Sequence, residues 1–183
     1  MSRIPAVELT AAPAKTKATF DAFQKALGTV PEMVRVMAQS PAVLDGYVSL
    51  SGALAKGALG GRIGEQIALL SAETNGCDYC ASAHTVLGGM QGLDAPQLEA
   101  ARVGHASDAR AQAALTLARS VLESRGHIGD ATFTAARESG LSDGEIGEVV
   151  AHVALNVFTN YFNSVARTDI DFPVVHTMSH PTA

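Results

Sequence analysis

The sequence predicts an all-α protein, a compact bundle of roughly seven to nine helices. Three observations carry that expectation. Of 183 residues, 47% are hydrophobic but only 5% are aromatic, and there is no Trp. The core must therefore be built mainly from Ala, Leu, Val and Ile, and abundant Ala favours closely packed helices over sheets. Apolar residues recur at spacings of three and four along most of the chain. Pro, Gly and capping residues then cut the chain into segments of helical length.

The elements follow in order. Residues 1–13 carry Pro5 and Pro13 and read as a loose arm. A helix runs from Pro13 to Leu27 with Phe20, Phe23 and Leu27 on its apolar side. The break GTVP places Pro31 in the first turn of a helix through Met33, Val34 and Met37. Ser40 and Pro41 open another, through Leu44, Tyr47, Leu50 and Leu54 to Leu59, which Gly57, Gly60 and Gly61 weaken and end. Residues 62–75 form a buried helix carrying Ile63, Ile67 and Leu70, stopped by Asn75-Gly76. The next begins at Cys77 or Asp78 and reaches Leu87, where Gly88, Gly89 and Gly92 close it. Asp94 caps a short helix, with Gln97 three positions on. Asp108 caps a helix over 109–124 through Leu115 and Leu122. Asp130 caps a segment to 138, containing Phe133. Ser142, with Glu145 three later, caps a last long helix over 141–163.

A short echo links the two halves. G-L-D-x-x-x-L-E at 92–99 and G-L-S-D-x-E-I-x-E at 140–148 each follow a similar arrangement, as two stacked helical hairpins would produce. A single domain over 1–183 is expected, with the arm 1–13 in front and a tail 169–183 that packs along the surface or moves.

Composition excludes several classes. Thirteen Lys and Arg against 18 Asp and Glu leave no basic excess for a phosphate backbone, so no nucleic-acid partner is expected. No stretch approaches the length of an apolar membrane span, and the first residues lack an apolar run of leader length, so a cytoplasmic location without membrane association is expected. The two cysteines, Cys77 and Cys80, are three residues apart. Such a pair closes almost no loop and staples little, so its purpose is chemical.

The chemistry concentrates between Glu65 and His84. Cys80 and His84 are four apart and share one helix face, where the imidazole can accept the thiol proton or pair with the thiolate. Cys77 lies across the first turn, within reach of a disulfide with Cys80. The unpaired N–H groups and dipole of a helix start favour a thiolate there. Glu65 arrives from the preceding helix once the chain turns back at Asn75-Gly76, where it can orient His84 or accept its proton. Glu73 competes for that role, although position 73 can equally face solvent. Three blander readings stand beside this one. The thiols can be inert and buried. Cys77, Cys80, His84 and Glu65 are acceptable zinc ligands, but no second Cys/His pair follows at zinc-finger spacing. A thioredoxin-like site needs a strand before C-x-x-C, where this sequence predicts a helix.

At these residues the sequence resembles a known family. GEQIALLSAETNGCDYCASAH (64–84) is similar to the signature of the carboxymuconolactone decarboxylase-like superfamily, in its alkylhydroperoxidase D-like, peroxidase-related branch. That signature is a Glu, eleven residues, then C-x-x-C-x-x-x-H, which Glu65, Cys77, Cys80 and His84 match without a gap. The resemblance extends over residues 28–173, through TVPEMVRVMAQSPAVLDGY, the second half and the DIDFP tail. It implies an all-α fold assembled into dimers, trimers or hexamers, and thiol-dependent reduction of a small hydroperoxide. It implies Cys80 as the peroxidatic and Cys77 as the resolving cysteine, with His84 and Glu65 as a proton relay. Tyr79 departs from the characterised pattern, which has a relay His before the second cysteine. The decarboxylase branch lacks the cysteine pair, which disfavours lactone decarboxylation.

An accessible low-pKa thiolate with a near neighbour passes through a sulfenic acid to a disulfide. Reopening it takes an external dithiol or reducing protein. No cofactor is expected, because no G-x-G-x-x-G loop stands in a strand-turn-helix setting. A non-enzymatic helical oligomer or redox sensor is the remaining alternative. Among other residues, His152 has apolar neighbours and reads more readily as a satisfied structural His than as a site residue. Asn156, Asn160 and Asn163 share a helix face and can form a hydrogen-bond strip or face solvent. His105, His127, His176 and His180 carry no assigned role.

Overall fold

A computed structural model describes residues 2–178, with nine α-helices and no strand among them. Tail positions beyond 178, including His180 and Pro181, lie outside the described residues. The helices are α1 (Ala14–Leu27), α2 (Glu32–Met37), α3 (Pro41–Leu54), α4 (Gly60–Asn75), α5 (Asp78–Met90), α6 (Ala95–Arg102), α7 (Ala109–Ser124), α8 (Asp130–Glu138) and α9 (Asp143–Ala166). None is long and apolar enough to cross a membrane.

Most boundaries follow the local signals. Ser40 accepts a bond from the Val43 N–H with Pro41 in the first turn of α3. Asp108 caps α7, and Asp94–Gln97 and Ser142–Glu145 form full capping boxes on α6 and α9. In each half a buried leucine, Leu93 or Leu141, stands immediately before the cap, so the sequence echo is also a structural one.

The last helix runs three residues past its expected end, to Ala166, and three other boundaries differ more tellingly. α3 stops at Leu54, and Gly60 and Gly61 begin α4 rather than ending α3. The cause is distant: Glu148 of α9 accepts the Ala58 and Leu59 N–H groups, both at 2.9 Å, and so supplies the polar partners that a local cap would provide. α5 continues through Gly88 and Gly89 to Met90. Gly88 is buried against Leu98 and Leu93, where a side chain would collide with the Leu98 methyl, so close packing sustains the helix there. Gly129 caps α8, and Asp130 takes the first helical position, where the dipole favours its charge.

α4 is the central helix and packs against α5, α6, α7 and α9. Its one side joins Ile63, Ile67 and Leu70 to Leu115, Leu117, Val149 and Val153 of α7 and α9. On the other side, Ala72 joins a second core with Phe20, Val34, Met37, Leu44, Cys77 and Cys80. The thiols are thus part of a hydrophobic core rather than a surface loop. The flanking segments close over it. In the arm, the Arg3 N–H donates to the Ala166 carbonyl at 2.7 Å and the Val7 N–H to the Arg35 carbonyl at 3.0 Å. In the tail, Asp171 accepts the Glu32 N–H at 2.7 Å, and Ser82 Oγ accepts the Val175 N–H at 2.9 Å.

Ile67 has no exposed surface at the centre of α4. Ile67→Ala is expected to cost about 2–5 kcal/mol of stability, read from the urea midpoint at unchanged slope.

Candidate active site

The turn between α4 and α5 sets the site. Gly76 adopts a left-handed conformation (φ 65°), and the Cys77 N–H returns to the Ala72 carbonyl at 2.9 Å. This closure ends α4 and leaves Cys77 extended, as the cap of α5. Its sulfur takes the place of a capping oxygen and accepts the Cys80 N–H at 3.3 Å. The two free sulfurs lie 2.7 Å apart, with the Cys77 thiol donating to Cys80.

That donation polarises the pair. The bond to Cys80 is the main reason the Cys77 thiol is pushed far up, and burial and the neighbouring charge add to it. For Cys80, burial opposes ionisation. The bond from Cys77, the charge of His84 and the amides of Asn163 and Asn160 outweigh burial and hold the thiol down at about 7. Asn163 Nδ2 donates to the Cys80 sulfur at 3.3 Å. One sulfur is therefore thiolate-prone and surrounded by donors, and its neighbour is a retained thiol.

One helical turn further on, His84 Nδ1 meets Glu65 Oε2 at 2.7 Å, across the α4–α5 hairpin. Burial lowers the His84 pKa, but Glu65 and the Cys80 charge more than offset that, and the net shift is upward. A carboxyl group, an imidazole with its pKa raised and a thiol with its pKa lowered thus stand in sequence. The structure brings all four expected residues, Glu65, Cys77, Cys80 and His84, to one place.

The competitor does not join them. Glu73, which was open to a solvent-facing reading, is buried. It accepts Arg102 Nε at 3.0 Å and the Met178 N–H at 2.5 Å. The charge on Arg102 and the tail backbone make burial affordable, and both are remote in sequence. His176, to which the sequence assigned nothing, places Nδ1 2.8 Å from Asp78 Oδ2 and so ties the tail to the first turn of α5.

Other residues become legible only in three dimensions. The Asn row of α9 is buried: Asn160 accepts from Asn75 at 2.8 Å, and Asn156 donates to the His152 carbonyl at 2.8 Å. Its spacing was visible in sequence, but the sulfur it addresses was not. Tyr79 stacks edge-on with Phe172 at 5.8 Å, and its hydroxyl accepts the Met33 N–H at 3.1 Å and bonds Asp171. Burial pushes that hydroxyl far up, so it holds α2 and the tail rather than exchanging protons. Tyr47 was read only as an apolar position of α3. Burial and the charges of Glu65 and Cys80 push its hydroxyl up to about 12.

A cavity of about 210 Å³ opens onto Cys80, His84 and Glu65. Its walls include Phe23, Val34, Tyr47, Leu87, Phe172 and His152. Cys80, not Cys77, is among the lining residues, and Glu65 is the lining carboxylate. Among the described residues no Lys or Arg lines it. Among the described residues no group of three or more His, Cys, Asp or Glu side chains is placed to hold a metal ion.

Comparison with known proteins locates this architecture. Residues 41–124 match the Carboxymuconolactone decarboxylase family model. The fold is similar to an alkylhydroperoxidase AhpD core, an uncharacterized peroxidase-related protein from Ralstonia eutropha JMP134. That match has a TM-score of 0.85 and 24% identity, covering 93% of this chain and 92% of that one. A peroxidase-related protein from Silicibacter sp. TM1040 superposes with a TM-score of 0.81 and 22% identity, over 91% of this chain and 89% of the other. The debrominase Bmp8, in complex with 2,3,4-tribromopyrrole, gives 0.79 and 20%, over 93% and 92%. A search of curated proteins finds no match.

The reactive thiol should titrate near neutrality. Iodoacetamide labelling of Cys80 is expected to rise with pH about a midpoint near 7, because only the thiolate reacts. Asn163→Ala removes a donor to that thiolate, so the midpoint should move up to about 8 and labelling at pH 7 should slow. A wild-type midpoint at the ordinary thiol value would contradict the geometry.

Proposed function

From homology to the carboxymuconolactone decarboxylase and AhpD-like peroxidase-related superfamily, in fold and over residues 41–124 in sequence, we propose that this protein is a thiol-dependent hydroperoxide reductase. The observation that carries the reading is the unequal sulfur pair: a thiolate-prone Cys80 facing a cavity, with a protonated Cys77 at 2.7 Å.

In this reading the Cys80 thiolate attacks the terminal oxygen of a hydroperoxide, and the O–O bond breaks. The sulfur becomes a sulfenic acid, and the departing alkoxide takes the proton held by His84, leaving as an alcohol. Cys77 then attacks the sulfenic sulfur, giving a disulfide and water. An external dithiol or reducing protein reduces that disulfide, restoring the Cys77 thiol, the Cys80 thiolate and the His84 proton. Glu65 keeps the imidazole oriented and charged. Neither a resident metal nor an organic cofactor enters this scheme.

Three further parts belong to the proposal. The chain acts as one domain over 1–183. It assembles with copies of itself, for which the exposed Val150, Phe158, Tyr161 and Val165 of α9 provide apolar surface. Thiols that must be reduced between turnovers suit the cytoplasm.

A second reading has one observation in its favour. The cavity is largely apolar, aromatic-lined and free of Lys and Arg among the described residues, a setting that suits a small halogenated aromatic compound. Bromide release from a bromopyrrole, dependent on Cys80 and a dithiol, would favour it over hydroperoxide reduction.

One equivalent of an organic hydroperoxide is expected to remove both thiols rapidly from the wild type, and a dithiol should restore them. Cys77→Ser should stop at a sulfenic acid that dimedone traps, and Cys80→Ser should lose the fast reaction. Reaction of the wild type at the rate of free cysteine would refute the proposal.

A further inference from the structure

We infer that His152 is the substrate's anchor: its imidazole hydrogen-bonds the oxygen that carries the organic group, while Cys80 faces the terminal oxygen. This inference rests on the hydroperoxide reading and assigns the α9 wall of the cavity a task in it.

Four observations support the assignment. His152 lines the same cavity as Cys80 and His84, but from α9. It is more than nine-tenths buried, and its Nε2 has no hydrogen-bond partner. A buried ring nitrogen in that state costs free energy unless a ligand or water completes it, so such a group in a cavity points to an occupant. The ring is also held in place. Its Cε1 edge lies over Gly64 so closely that a Cβ there would come within 2.8 Å of it. Any other residue at 64 would displace the imidazole, and position 64 is next to Glu65. Finally, burial lowers the His152 pKa, although Glu148 and Glu65 act in the other direction. The ring therefore stays neutral at physiological pH and offers one N–H donor.

These features define what the cavity accepts. Among the described residues the lining contains no Lys or Arg, and the carboxylate on it is Glu65. An anionic substrate, such as a carboxylated lipid hydroperoxide, would meet Glu65 and the thiolate-prone Cys80, and the one candidate countercharge, His84, is already paired with Glu65. A compact, uncharged hydroperoxide with an apolar body suits the walls. Its inner oxygen would take the His152 N–H, and that bond strengthens as the oxygen becomes an alkoxide. The two histidines would then divide the work. His84, paired with Glu65, sits on the thiolate side and supplies the proton, whereas His152 holds the leaving oxygen.

The test uses 2-phenylpropan-2-ol, an unreactive carbinol with an apolar body and one hydroxyl at the position of the inner oxygen. Calorimetric titration of the reduced full chain is expected to show binding that His152→Leu weakens about tenfold. His152→Gln, which keeps an N–H donor, should stay within about threefold of wild type. Equal affinity in wild type and His152→Leu would overturn the inference. Should the leucine variant not fold, nitrogen NMR of the labelled wild type decides: saturation with the carbinol should move the His152 ring signals, and unmoved signals overturn the anchor role. Because the carbinol undergoes no reaction, this result stands apart from the hydroperoxide reading, which fails only if wild-type Cys80 shows no fast oxidation.

Discussion

The ion pair between Glu65 and His84 is the constraint around which the site is organised. It joins α4 to α5 at 2.7 Å and places charge inside an otherwise apolar hairpin. A partly buried pair of this kind adds little net stability, because desolvation offsets most of the attraction. What it does is fix a charge. Glu65 raises the affinity of the imidazole for its proton, and the positive charge on His84 helps to keep the Cys80 thiol near 7 despite burial. The pair in turn depends on the Gly76 turn, which returns α5 antiparallel along α4. Backbone geometry, charge placement and thiol chemistry thus form a single chain of cause.

α9 supplies the other half of the environment. A thiolate in a hydrophobic core needs donors, and the hairpin alone offers few. Asn163 reaches Cys80 from α9, and Asn160 is held by Asn75 at the end of α4. Neutral amides suit this task, because they favour the anion without adding a competing charge. The same helix caps α4 through Glu148 and contributes His152 to the cavity. The length of α9, from Asp143 to Ala166, lets a single element do all three.

How much of this was legible in the sequence depended on distance along the chain. The helices closed by nearby residues were readable: Ser40, Asp94, Asp108 and Ser142 all cap where their spacing says they should. The α3–α4 boundary was not, because the groups that cap α4 come from Glu148, about ninety positions away. The site divides the same way. Cys77, Cys80 and His84 lie within one helix start, and Glu65 lies one hairpin away, so spacing brings them together. Glu73 looked only slightly less available than Glu65, and its link to Arg102 and the tail removes it from the site. The Asn row showed its periodicity but not its target. His152 looked like a core residue because its neighbours are apolar, and nothing in a linear sequence reveals an unpartnered nitrogen.

The two sulfurs also differ in what they face, and this asymmetry has a physical origin. A helix cap must be extended, so Cys77 points back along the turn, donating its proton to the neighbouring sulfur. Cys80 is one turn inside the helix, on the face shared with His84, and so it fronts the cavity. A symmetric pair would have no preferred nucleophile, and either sulfur could be oxidised. Here a small molecule entering the cavity meets the thiolate-prone sulfur first, while the partner keeps the proton that it must release only when the disulfide closes. In the proposed reaction the order of events is therefore set by the position of two residues relative to a single helix start, before any substrate arrives.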